Sequence, residues 1–207
     1  MAIKDNMAQM YTERAKQYSD DYSKAVMWSQ DSQYALFGQL VNAFDLNSPR
    51  LSLLDLGCGN GELYKYLNFR GYRGEYTGID ITQILLDQAT ARFPNVEFIN
   101  QDILTEACVK RYNYVCMSGL FNLNVGQDTE WVKRFVSRAF EFTEDVLTFN
   151  AISTYVNYKQ PEIFYINPLE MMVFCIENLS PRCTLTHHNF PYHYSIAVYR
   201  YTDWRRI

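Results

Sequence analysis

The chain has 207 residues, with 19 Lys and Arg against 23 Asp and Glu, so its net charge is 19 − 23 = −4. With 48% hydrophobic and 20% charged residues, it is neither a disordered chain nor a rod, and its length suits one domain with a real core. An isoelectric point near 5.4 excludes a sequence-independent electrostatic grip on nucleic acid, so no nucleic-acid partner is expected.

Residues 1–24 are polar and mixed in charge, without the apolar core of a signal peptide. No apolar run approaches the ~18 residues of a membrane span, so no membrane partner is expected. Cys58, Cys108, Cys116, Cys175 and Cys183 are odd in number and contain no C-x-x-C pair. They read as reduced thiols in a cytoplasmic protein, and no metal site is expected. Aromatic residues make up 16% of the chain, which suits a flat, partly apolar ligand as well as plain core packing.

In chain order, residues 1–44 look helical, with Leu36, Leu40, Val41 and Phe44 at the spacing of a face that packs on a sheet. Residues 47–50 form a turn. Residues 51–56 read as a buried strand, 62–69 as a helix, 76–79 as a second strand and 82–93 as a helix with Thr82 as its N-cap. Strands follow at 96–99 and 112–117, then a helix at 128–140 and a strand at 145–149. This alternation predicts an α/β fold with a mostly parallel sheet covered by helices on both faces. A Pro-bearing aromatic loop at 155–168 leads to a helix at 168–178 with Pro in its first turn. Strands at 183–187 and 194–200 close the chain as an antiparallel hairpin. The whole reads as one domain: an N-terminal helical segment (1–46), a ligand-binding core (51–149) and acceptor-side loops with the closing hairpin (150–207).

The strongest local signal is the first strand running into Asp55-Leu-Gly-Cys-Gly-Asn-Gly61 before a helix. Glycines there permit positive φ and close approach of a ligand to the backbone. A dinucleotide loop would carry Gly or Ala at position 62, but the residue is Glu62. With Asp55 it puts two carboxylates around a helix N-terminus, a poor pyrophosphate site and a better one for a cationic ligand without phosphate. Asp80 ends the second strand, 80 − 61 = 19 residues after the last glycine, the spacing of a carboxylate that accepts both ribose hydroxyls. Taken alone it also suits a helix cap. Asp102 follows the third strand, where it would accept from an adenine amine with Ile103 against the ring, or serve a turn.

These residues resemble class I S-adenosylmethionine-dependent methyltransferases over roughly 51–149. Asp55-x-Gly57-x-Gly59-x-Gly61 matches the glycine motif, Gly78-Ile-Asp80 the ribose-binding strand end, Gln101-Asp-Ile103 the adenine motif, and Tyr114-Val-Cys-Met-Ser118 the strand that ends beside the transferred methyl. The resemblance implies S-adenosylmethionine as cofactor and a Rossmann-like seven-stranded sheet whose last strand is antiparallel. It adds Cys58, Ile81 and Ser118 to the cofactor contacts. Residues 11–18 resemble lid segments of this family, with Arg14 or Tyr18 reaching the cofactor's carboxylate. Trp28 is a further lid or cofactor candidate.

Methyl transfer is an in-line displacement on an activated carbon, so alignment and exclusion of water matter most. Ser118-Gly-Leu-Phe-Asn-Leu-Asn124 departs from the Asn/Asp-Pro-Pro-Tyr/Phe sequence of relatives that methylate exocyclic amines, which lowers the case for bases or amides as acceptors. Asn122 and His188 are the candidates for catalysis, and Asn150 and Tyr155 for binding the acceptor. His187 and His193 are the other imidazoles, and His is the natural base near neutral pH. The reading is a small-molecule O- or N-methyltransferase. The alternatives are a protein or RNA methyltransferase that borrows recognition from a partner, and a non-catalytic cofactor-binding subunit.

Overall fold

The computed structural model describes residues 3–18, 29–46, 50–188 and 190–200. Trp28 and most of the turn at 47–50 lie outside these residues. The elements run α1 (Ile3–Gln17), α2 (Gln30–Val41), β1 (Ser52–Leu56), α3 (Glu62–Phe69), β2 (Glu75–Asp80), α4 (Gln83–Arg92), β3 (Glu97–Asn100), β4 (Tyr112–Met117), α5 (Thr129–Glu141), β5 (Thr143–Ser153), β6 (Tyr165–Ile166), α6 (Pro168–Asn178), β7 (Cys183–Thr186) and β8 (His193–Tyr199).

The strand order is β3-β2-β1-β4-β5-β8-β7, with the short β6 added to β5. Strands β1 to β6 pair in parallel, and β8 runs antiparallel between β5 and β7. The Rossmann-like architecture and the closing hairpin are those expected. The sheet has eight strands rather than seven, because residues 165–166 of the aromatic loop pair with the end of β5.

Alternation along the strands divides the interior into two cores. Leu54 and Leu56 of β1 join Val115, Met117, Leu147 and Phe149 under α5 and α6. Leu53 joins Tyr76, Tyr114 and Cys116 under α2 and α3. Helix α5 forms where its sequence allows: Asp128 caps it by accepting from the Trp131 amide at 2.7 Å, and Val132, Val136 and Ala139 are buried on one face. Asn167 caps α6 in the same manner, ahead of Pro168. Thr82 has the extended backbone of an N-cap at α4, but its side chain makes no cap hydrogen bond. None of the described helices is long and apolar enough to cross a membrane.

Strand β5 differs most from its sequence reading. It was expected to stop at Phe149, where its pairing with β4 ends at Met117. It continues to Ser153, held by β8 on one side and β6 on the other. Those extra residues put a raised wall at the carboxyl edge of the sheet. That edge also holds the crevice beyond β1, where the strand order reverses and open α/β sheets bind ligands.

The turn into β2 depends on Gly74. A Cβ there would overlap the Leu51 carbonyl oxygen, which accepts from the Glu75 amide at 2.9 Å and the Tyr72 hydroxyl at 2.9 Å. Gly74→Ala is expected to destabilise the fold by about 2–4 kcal/mol, because a backbone acceptor rather than a flexible side chain must move. Urea denaturation checks this; a loss below about 0.5 kcal/mol would contradict it.

Candidate functional site

The glycine loop leaves β1 with Gly57, Gly59 and Gly61 at φ of 77°, 54° and 82°. These are left-handed conformations that side chains disfavour. The Gly57 and Cys58 amides both donate to the Ile79 carbonyl, at 2.8 and 3.1 Å. The Asp80 carboxylate accepts from the Gly59 amide at 2.9 Å through Oδ2 and from the Thr82 amide at 2.8 Å through Oδ1. Loop and strand end are therefore cross-tied, and Gly78 leaves room for the tie: a Cβ there would stand 2.8 Å from Cys58 Sγ.

The cleft beside this tie is lined by Asp55, Gly57, Cys58, Gly59, Asp80, Ile81, Asp102, Ile103 and Ser118 from the predicted set. Gly61 sits just behind the lining as the N-cap of α3. Asp102 does turn work and lines the cleft at once: Oδ1 accepts from the Leu104 amide at 3.0 Å, while Oδ2 faces Lys4 at 3.5 Å.

The structure also brings in residues that local sequence did not mark. Lys4, Met7 and Tyr11 of α1, Gln33 and Phe37 of α2, and Trp131 and Phe135 of α5 all line the cleft. Gln33 is 9% exposed, and its Oε1 has no hydrogen-bond partner. The only advance signal was the aromatic and helical character of these segments. Tyr18 and Arg14 are not in the lining; the Arg14 guanidinium lies 5.3 Å from the Tyr18 ring.

The two carboxylates that the sequence places at the loop both line the cleft, each with a partner. Glu62 is held by Arg92 of α4 at 2.5 Å, and Arg92 also donates to the Asn60 carbonyl at 2.7 Å. Glu62 also lines the cleft, where its Oε2 is buried without a hydrogen-bond partner. Asp55 is 2% exposed and accepts from the Tyr76 hydroxyl at 2.7 Å. Burial pushes its carboxyl up to about 7, against the pull of that hydrogen bond, and the Asp80 charge adds to the rise. Burial and the Asp80 carboxylate likewise push Tyr11 up to about 12, with Arg14 opposing.

The acceptor-side candidates are dispersed. Asn150 is 1% exposed and bonded at both ends of its amide: Oδ1 accepts from the Gly119 amide at 2.7 Å, and Nδ2 donates to Ser118 Oγ at 3.3 Å. It fixes the turn that carries Leu120 over Gly57, where a Cβ on the glycine would stand 2.7 Å from Leu120 Cδ1. Asn122 is 3% exposed, with neither amide atom hydrogen-bonded, and lies outside the cleft lining. His188 is exposed in the β7–β8 connection, away from the cleft. His193 is buried, which lowers its pKa, and its ring bonds the Pro191 carbonyl at 2.9 Å. Tyr155 is exposed beyond the end of β5.

Asp55 binds its proton more tightly folded than unfolded. Its protonated form favours folding below about pH 4, and that advantage is lost as pH rises through about 7. Asp55→Asn is therefore expected to flatten the fall in stability between pH 4 and 8. Urea midpoints across that range check it; a mutant profile parallel to that of the native chain would contradict the assignment.

The methyltransferase domain family matches residues 53–141. A protein of Mycobacterium tuberculosis with a methyltransferase designation is 31% identical over 172 residues, covering 77% of this chain and 97% of that protein. The malonyl-[acyl-carrier protein] O-methyltransferase of Acetivibrio thermocellus is 33% identical over 122 residues, covering 58% of this chain and 41% of its own length. The crystal structure of magnesium protoporphyrin IX methyltransferase from Synechocystis PCC 6803, with bound SAM, superposes with a TM-score of 0.70 at 17% identity, over 97% of this chain and 98% of that one. With the glycine loop, the two acidic strand ends and this sheet order, the chain belongs to the class I S-adenosylmethionine-dependent methyltransferases.

Proposed function

We propose that the protein uses S-adenosylmethionine to methylate an oxygen or nitrogen of a small-molecule acceptor. The observation that carries this reading is the bonding of Asp80. An ionised carboxylate offers about four acceptor positions. The Gly59 and Thr82 amides bond one oxygen each, and the carboxylate lines the cleft, where it suits the two hydroxyls of a ribose. Asp102 and Ile103 suit an adenine, Asp102 by accepting from its amine and Ile103 by packing on its face. The backbone of Gly57, Cys58 and Gly59, with Ile81 and Ser118, would complete the wall, and Gly61 starts α3 behind it. The buried Oε1 of Gln33 is an acceptor without a donor, which suits the ammonium of the cofactor's amino-acid end.

Bound S-adenosylmethionine would supply a methyl carbon activated by a sulfonium, whose C–S bond breaks with the electron pair left on sulfur as the acceptor's lone pair bonds the carbon. The chain's own contribution is alignment and exclusion of water. Asn150 holds the Ser118–Gly119 turn, and Leu120 closes the space over Gly57. Asn122 keeps an acceptor-side role open through its unsatisfied amide. None of the three histidines lines the cleft, so this reading assigns no base. An acceptor of low pKa needs none. Support for a small acceptor comes from the largely apolar cleft and from a structural neighbour named for a porphyrin substrate.

Calorimetric titration with S-adenosylmethionine, S-adenosylhomocysteine and NAD tests the reading. Micromolar binding of both adenosyl ligands and none of NAD is expected. Asp80→Ala should weaken the adenosyl ligands by about 1–3 kcal/mol, one to two hydrogen bonds to a charged group. Folded protein that binds none of them, or an Asp80→Ala variant with native affinity, would overturn it.

A further inference from the structure

The four residues by which β5 outruns β4, Asn150 to Ser153, rise about 13 Å above the sheet edge at the usual strand rise. At the top of this wall stands a group of rings. Tyr155 is 57% exposed, Tyr158 68% and Tyr192 42%. Ser153 ties the backbones of two of them: its amide donates to the Tyr192 carbonyl at 2.7 Å, and its Oγ accepts from the Tyr155 amide at 3.0 Å. Asn157 steadies the Tyr192 hydroxyl at 3.1 Å. The Tyr155 ring stands 6.3 Å from His187, and His187 stands 6.3 Å edge-on to the buried Tyr194.

Tyr192 has φ of 63°, the one positive value on a non-glycine among the described residues. Glycine would adopt that backbone freely, whereas a tyrosine is strained there. Its side chain is 42% exposed, and among the described residues its one side-chain hydrogen bond is the one from Asn157. Strain of this kind persists where a side chain has work to do in a fixed place. The same wall is rooted in Asn150, which holds the Ser118–Gly119 turn at the proposed methyl-transfer position. The carboxyl-terminal stretch of β5 therefore links the turn beside the cofactor cleft to the tyrosines.

Resting on the proposed methyl-transfer reading, we propose that the Tyr155–Tyr192 platform on the β5 wall binds the methyl acceptor, and that the acceptor is a planar ring compound. Tyrosine faces stack on flat π-systems in an offset or edge-on manner and gain less from a flexible aliphatic chain. A rigid planar ring also docks without the cost of ordering a flexible chain.

The test is calorimetric titration of the full chain, saturated with S-adenosylhomocysteine, with 2-naphthol and 2-naphthoate against decanoate. The planar probes are expected to bind at least tenfold tighter than decanoate. Tyr155→Ala and Tyr192→Gly should each weaken them fivefold or more and leave S-adenosylhomocysteine affinity within twofold. Tyr192→Gly should also melt at the native temperature or above, because glycine relieves the backbone; a merely structural tyrosine would not combine unchanged stability with lost binding. Native affinity of Tyr192→Gly for the planar probes, or equal binding of decanoate, would overturn the platform while leaving the cofactor reading intact. Failure of S-adenosylhomocysteine itself to bind would overturn the cofactor reading and the platform with it.

Discussion

The cleft depends on one carboxylate. Asp80 ties the amide of Gly59 to the amide of Thr82, joining the glycine loop to the start of α4. The Ile79 carbonyl reinforces the joint by accepting from Gly57 and Cys58. Burial raises the Asp80 pKa, and hydrogen bonds from Gly59, Thr82 and Ile81 oppose the rise, so the environment that penalises its charge also supplies partners for it. A loop with three left-handed glycines would otherwise sample many conformations. Fixed in this manner, it presents backbone and free lone pairs without reorganising when a ligand arrives.

Charge around the loop is quieter than the composition of the motif suggests. Arg92 neutralises Glu62, and burial against Tyr76 favours the protonated form of Asp55. A cationic ligand would meet Asp80, the Glu62 Oε2 that has no hydrogen-bond partner, and Asp55, whose protonated form burial favours. The sequence argument against a pyrophosphate site rested on two free charges; the structure leaves steric and geometric reasons, with Glu62 already paired where a dinucleotide loop would carry glycine or alanine.

What local sequence made legible was what local chemistry decides. The strands at 112–117 and the helices at 62–69 and 168–178 were read to the residue, because apolar runs, caps and glycines mark their ends. Asp80 and Asp102 were found because each follows a strand at a motif spacing. Contacts that join distant segments were not readable. Arg92 meets Glu62 across 30 residues, Tyr76 meets Asp55 across 21, and Gly119 meets Asn150 across 31. Asn150, read as an acceptor contact, bonds the Ser118–Gly119 turn through both ends of its amide. The end of β5 was missed because its extension is stabilised by β6 and β8, partners that no local pattern in 150–153 announces. Cleft residues on α1 and α2, such as Tyr11 and Gln33, were hidden for the same reason.

The wall of β5 and the cleft of β1 divide the labour of the sheet edge, with Asn150 and the Ser118–Gly119 turn between them. Everything on that edge presupposes that Asp80 keeps its two backbone amides while still accepting from a ligand. A crystal structure of the chain with S-adenosylhomocysteine tests this most directly. Both ribose hydroxyl oxygens should lie within about 2.6–3.2 Å of the Asp80 carboxylate, with the Gly59 and Thr82 bonds intact. A ribose held elsewhere, or an Asp80 that releases Gly59 to reach it, would contradict the role assigned to the tie.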